Sequence, residues 1–163
     1  MRTIKFKGKS LMYGQWVSGD FAHSLDGKLN ILGFVEEEGK MGFTGAYQIA
    51  PDIVCQFIGF LDKNGKKIYE GDVLRLDEYP YSCSRLNKRD CYYAVVCYSE
   101  EDACFDLVKV KNPASDVKGI SDGILDCVSR ERMKNFEVVG NIHDPEWKQY
   151  GEHLQKEDKE QQS

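Results

Sequence analysis

Alternation with a period of two dominates the chain. Near its start, Ile4 and Phe6 fall on one side of residues 2–9, and Lys5, Lys7 and Lys9 fall on the other, the pattern of a strand half buried against a core. Its outer face is cationic. Those lysines either keep an exposed or edge strand soluble and unpaired or form a phosphate-contacting ribbon, and the first reading is preferred. From Leu11 to Tyr47, short apolar runs are punctuated by Ser18-Gly19-Asp20, Asp26-Gly27 and Glu38-Gly39-Lys40. The expected strands are Tyr13–Val17, Phe21–Ser24, Lys28–Glu36 and Met41–Ile49, with a two-residue hairpin at Asp26-Gly27. Pro51 is expected to break the pattern.

The run from Val54 to Leu76 carries the most information. Asn64-Gly65 tolerates positive φ at both positions, as a type I′ turn demands, and so joins a strand ending near Leu61 to one containing Ile68 and Tyr69. Glu70-Gly71-Asp72 makes a corner before a strand at Val73–Leu76. Tight corners between short strands suit a small barrel better than a helical or doubly wound fold. Asp77 to Asp90 is a long polar loop. Cys91–Tyr98 and Ala103–Lys111 form a hairpin around the acidic turn Ser99–Asp102.

Between Asn112 and Lys134 the pattern is ambiguous. Ile120, Ile124, Leu125 and Val128 share one helical face, while Ile124–Val128 equally fits a short strand; helix is preferred. Phe136–Ile142 returns to strand. Asp144 reads as an N-cap with Pro145 at N1, and Trp147, Tyr150 and Leu154 at i, i+3 and i+7 give a helix before a frayed polar tail. The expected fold is therefore mainly β, with small barrel-like β domain(s) and a C-terminal α-helix. Residues 1–143 form the barrel-like part, as one domain or two small β subdomains, and residues 144–163 form the helix and tail.

Composition narrows the class. With 163 residues the chain can bury a core of its own, and 41% hydrophobic with 30% charged residues excludes a disordered, collagen-like or coiled-coil protein. A net charge of −5 argues against a protein that coats phosphate backbones. The polar N-terminus offers no signal-peptide core, and the apolar stretch Ile53–Leu61 is interrupted by Gln56 and Gly59, far short of the ~20 residues that span a bilayer. A soluble cytoplasmic protein with no membrane contact is expected. Its six cysteines (Cys55, Cys83, Cys91, Cys97, Cys104, Cys127) are then free thiols. None forms the C-x2-C pair of a structural zinc site, and Cys97 reads as a small buried hydrophobe.

Motifs that carry chemistry are few. Asp62-Lys63-Asn64-Gly65 resembles the start of a calcium loop, but its glycine and the distal acidic residue are misplaced. Asp62, Glu70 and Asp72 could converge for acid/base work, yet carboxylates beside glycine turns are usually turn formers. Of His23, His143 and His153, only His143 has a suggestive neighbour, Asp144, already assigned as a cap. Nucleotide-binding, zincin and hydrolase motifs are absent. No catalytic residue, metal site or cofactor is expected. Tyr79, Tyr81, Tyr92 and Tyr93 flank Arg85, Lys88 and Arg89, a mixture that stacks and neutralises single-stranded nucleic acid.

The run Gln56-Phe57-Ile58-Gly59-Phe60-Leu61-Asp62-Lys63-Asn64-Gly65-Lys66-Lys67-Ile68-Tyr69-Glu70-Gly71-Asp72-Val73, with Ile4-Lys5-Phe6 before it and Phe136–Ile142 after it, resembles the YopX family of phage and prophage proteins. The resemblance implies a mainly β protein with barrel-like parts, encoded by a bacteriophage or an integrated element and working in the bacterial cytoplasm. It implies no activity and no catalytic residue. The expected function is that of a non-enzymatic accessory protein acting by protein–protein association, as a homo-oligomer or with a phage or host protein. The alternative is a nucleic-acid-associated protein using Lys5, Lys7, Lys9, Arg85, Lys88 and Arg89.

Overall fold

A computed structural model of the protein describes residues 3–37, 40–76, 92–110, 124–128 and 130–148. The chain is mainly β and divides into two compact units, Met1–Gly59 and Phe60–Ser163. The barrel expectation is corrected, because the strands form two sheets and no closed barrel.

Unit 1 holds β1 (Phe6–Ser10), β2 (Trp16–His23), β3 (Leu29–Glu37) and most of β4 (Lys40–Leu61). All pairings are antiparallel, in the order β1-β2-β3-β4, and β1 also pairs with β4. This double pairing is possible because β4 changes neighbours midway. Lys40 to Gln48 face β3, and Ile49 to Gln56 face β1. At the exchange the register slips between Gly8 and Ser10. Pro51 lies at this slip, exposed to solvent. A bulge residue needs no ladder partner, so the missing N–H of a proline costs nothing there, and the expected break becomes a continuation. Ile31, Ile49, Cys55, Phe57 and Ile58 are buried. Ile4 precedes the strand and is exposed, against its expected burial.

Ser18-Gly19-Asp20 is the second correction. The two strands expected around it are one strand, β2, and Gly19 sits inside it opposite Phe6. Glycine is there for proximity, since a Cβ on Gly19 would lie 1.9 Å from the Leu32 carbonyl oxygen on β3.

The glycine hairpins occur where expected, with a different turn. In both, only glycine has positive φ (Gly27 at 80°, Gly65 at 79°). Ser24 N–H donates to the Lys28 carbonyl and Gly27 N–H to the Ser24 carbonyl; Asp62, Lys66 and Gly65 repeat this scheme. These are three-residue loops, a type I turn closed by one left-handed residue, so Asp26 and Asn64 need no strained backbone. Lys28 and Ser24 donate to the Asp26 carboxylate and, in that order of importance, hold its pKa down at about 2.

Unit 2 contains β5 (Lys67–Tyr69), β6 (Asp72–Leu76), β7 (Tyr92–Ser99), β8 (Cys104–Val110), β9 (Ile124–Cys127), the single helical turn α1 (Arg130–Met133) and β10 (Phe136–Asn141). Its sheet runs β10-β6-β7-β8-β9, antiparallel throughout, with β10 and β9 the outer strands among the described residues. Both faces are occupied. Leu74, Leu76, Ala94, Val96, Leu107, Phe136 and Val138 are buried on one. On the other, buried Val73 and Val95 pack with Tyr93, Cys97, Val139, Ile142 and Trp147. The helix preferred around Ile124 is instead β9, because β8 offers a free edge whose hydrogen bonds outweigh a weak helical period.

The described residues do not support the C-terminal helix expected after Asp144. Residues 142–147 are turns and a bend, Lys148 is helical, and residues 149–163 lie outside the described part. Asp144 Oδ2 accepts from Asn141 N–H (3.1 Å), while its carbonyl accepts from Trp147 N–H (3.0 Å). These bonds fold Trp147 back against Tyr93, ring centroids 5.6 Å apart, and over Gly140. A Cβ on Gly140 would stand 2.3 Å from Trp147 Nε1. Gly140→Ala is therefore expected to expel the indole, lowering stability by about 1–3 kcal/mol and shifting the emission of one of only two tryptophans in the chain to the red. Unchanged emission and an unchanged urea midpoint would contradict this packing.

Candidate functional site

The cationic strand comes first. β1 lies between β2 and β4 and is not an edge, so its lysines do not serve to protect one. Phe6 opposes Gly19, and Lys9 opposes Trp16. This register stacks Lys7 Nζ 4.6 Å and Lys9 Nζ 5.2 Å from the Trp16 ring centroid, and it brings Lys5 Nζ to 2.7 Å from Asp20 Oδ1. Each cation–π contact is worth about 0.5–1 kcal/mol at such exposure. Lys5, Lys7 and Lys9 thus share one face, with their charges engaged by an indole and a carboxylate of β2. Arg85, Lys88 and Arg89, the other half of the candidate nucleic-acid surface, lie outside the described residues.

The acidic signature around the glycine turns is resolved into two separate knots. Asp62 is buried. Its Oδ1 accepts from Asn64 N–H and Lys66 N–H, both at 2.8 Å, and its Oδ2 accepts from Val138 N–H at 3.0 Å. Asp72 is buried too. Its Oδ2 accepts from Tyr69 N–H (2.8 Å), and its Oδ1 accepts from Asn141 Nδ2 (3.0 Å). Asn141 donates in addition to the Glu70 carbonyl (3.3 Å), and its Oδ1 accepts from His143 N–H (3.0 Å). Gly71 completes the seam, donating to the Val96 carbonyl and accepting from Ile142 N–H.

What this arrangement does chemically is structural. Both carboxylates spend their lone pairs on N–H donors, and among the described residues neither belongs to a group able to hold a metal ion. Asp62 and Asp72 are turn formers, as preferred from the sequence, and each also ties its turn to β10. These long-range bonds, Asp62 to Val138 and Asp72 to Asn141, left no local signal. Beside them Glu137 Oε2 receives Arg75 Nη2 at 2.8 Å and Lys63 Nζ at 2.9 Å. His23 stacks edge-on against Phe21. The described cysteines Cys55, Cys97 and Cys104 form no disulfide.

The class this defines is a two-unit, mainly β protein whose D-x-N-G, E-G-D and G-N signatures build corners. A family model described as YopX protein matches residues 12–146, and the chain belongs to the YopX family. None of the curated proteins matches. Among solved structures, one titled "Crystal structure of protein EF1440 from Enterococcus faecalis" is similar with a TM-score of 0.49 at 16% identity, covering 88% of this chain and 95% of that one. No helix among the described residues is long and apolar enough to cross a membrane.

Proposed function

We propose that this protein is a non-enzymatic accessory factor of phage or prophage origin that works by protein–protein association, its first partner being a second copy of itself in the bacterial cytoplasm. The supporting observation is the apolar surface of unit 1. Phe34 on β3 and Phe43 on β4 are cross-strand partners with ring centroids 5.6 Å apart, 40% and 62% exposed. Leu11, Met12 and Tyr13, between β1 and β2, are 59%, 79% and 64% exposed. Scattered single apolar residues are ordinary on a surface; paired aromatics and a run of three are the anchors that interfaces bury. The preformed rings would enter an interface with little loss of side-chain freedom.

Sedimentation equilibrium of the whole chain tests the proposal. The wild type is expected to self-associate, and the Phe34→Ser/Phe43→Ser double variant is expected to shift towards monomer with its melting temperature nearly unchanged. A wild type that stays monomeric at the highest soluble concentration would refute the self-association, and so would a double variant that associates equally well. The nucleic-acid reading gains no support from the lysine strand, whose charges are engaged within unit 1.

A further inference from the structure

Three carboxylates are buried among the described residues: Asp62, Asp72 and Asp106. The first two are saturated by N–H donors. Asp106, only 6% exposed, is different. Its one hydrogen bond among the described residues comes from the Cys104 thiol, Sγ to Oδ1 at 3.7 Å, and a thiol is a weak donor. A carboxylate this buried with one weak donor lacks a full set of partners, and a cation would supply the missing one.

The surroundings supply the rest of a ligand set. One oxygen of Asp102, the sulfur of Cys104 and one oxygen of Asp106 all lie within 4.8 Å of one another. The β7–β8 hairpin causes this. Ser99 opposes Cys104 at its mouth, and Cys104 and Asp106, two residues apart on β8, share a face. Asp102, exposed in the turn, is held by Ser99, whose Oγ accepts from Asp102 N–H at 3.3 Å and donates to Asp102 Oδ2 at 3.4 Å. The register also sets Cys97 on β7 and Cys127 on β9 opposite Asp106.

From this geometry we infer that Asp102, Cys104 and Asp106 bind a divalent cation of zinc character. One sulfur among two oxygens selects zinc over magnesium or calcium, which take oxygen ligands. Ligand bonds of about 2.0–2.3 Å place donor atoms roughly 3.3–3.8 Å apart in a tetrahedron, a contraction that rotation of the exposed Asp102 side chain supplies. On binding, the S–H bond of Cys104 breaks, its proton passes to solvent and the sulfur's electron pair bonds the metal; nothing is oxidised or reduced. The sequence signal is D-x-C-x-D, where two alternate residues of β8 share a face and meet a residue of the preceding turn, unlike the C-x2-C spacing of a zinc knuckle.

The test uses the full chain, reduced and metal-free. Titration with Co2+ is expected to give a near-ultraviolet thiolate-to-cobalt band saturating at one equivalent and displaced by Zn2+. Cys104→Ser is expected to abolish the band. Asp102→Asn alters only an exposed turn residue, and it is expected to weaken Zn2+ binding against a chromogenic chelator at least about tenfold, the range that even an outer partner of a metal ligand commands. Cys55→Ser, a buried thiol of unit 1, is expected to keep the band. The inference is overturned if the wild type shows no band, if the band survives in Cys104→Ser, or if Asp102→Asn binds Zn2+ as tightly as the wild type.

Discussion

Replacing Asp62 with alanine is expected to lower the unfolding free energy by about 3–5 kcal/mol. Its carboxylate is the acceptor for Asn64, Lys66 and Val138 N–H groups, and removing it strands all three. Each buried N–H left without an acceptor costs about 1–3 kcal/mol, and charged acceptors lie at the upper end. The losses add incompletely, because exposed Asn64 and Lys66 reach water more readily than Val138 does on β10. Urea denaturation followed by far-ultraviolet circular dichroism measures the change. A loss below about 1 kcal/mol would mean that Asp62 does not anchor β10.

Gly19→Ala is the second large effect, and it acts through sterics alone. The new methyl would stand 1.9 Å from the Leu32 carbonyl oxygen and 3.2 Å from Ile31 Cγ2. A backbone oxygen cannot rotate away as a side chain can. β2 and β3 must separate over the pairs Asp20–Leu32 to His23–Leu29, which lie beside the clash. Overpacking of this kind costs about 3 kcal/mol or more. Hydrogen exchange separates this from global weakening, since the amides of β2 and β3 should lose protection before those of unit 2. An alanine variant that melts with the wild type and keeps those amides protected would dismiss the close approach.

What the sequence made legible was local. The hairpin of β7 and β8, the two glycine loops and β10 were readable because alternation and turn chemistry act over a few residues. Gly19 and Pro51 misled because both residue types mark turns most often, while here one marks a close approach between strands and the other a bulge at an exchange of partners. Ile124–Cys127 became a strand because an edge of β8 awaited it, a fact fixed in three dimensions. The lysines of β1 were correctly placed on one face, but their partner Trp16 depended on the length of the β1–β2 turn. The roles of Asp62 and Asp72 needed Val138 and Asn141, which lie 76 and 69 residues away. The Asp102, Cys104 and Asp106 group is hard to read for a different reason. It joins two alternate residues of a strand to a residue of the turn before it, a spacing unlike that of metal-binding turns.

The order of strands in unit 2 bears on synthesis. β10 lies beside β6, yet Arg75 and its opposite number Glu137 are 62 residues apart. At ~5–20 residues per second a ribosome needs roughly 3–12 s to cover that distance. Throughout the interval the emerging polypeptide carries Asp72–Leu76 with one side of its backbone uncovered, a template for foreign β-strands. Its yield in a crowded cell should depend on whether chaperones shield that edge until translation delivers the last strand.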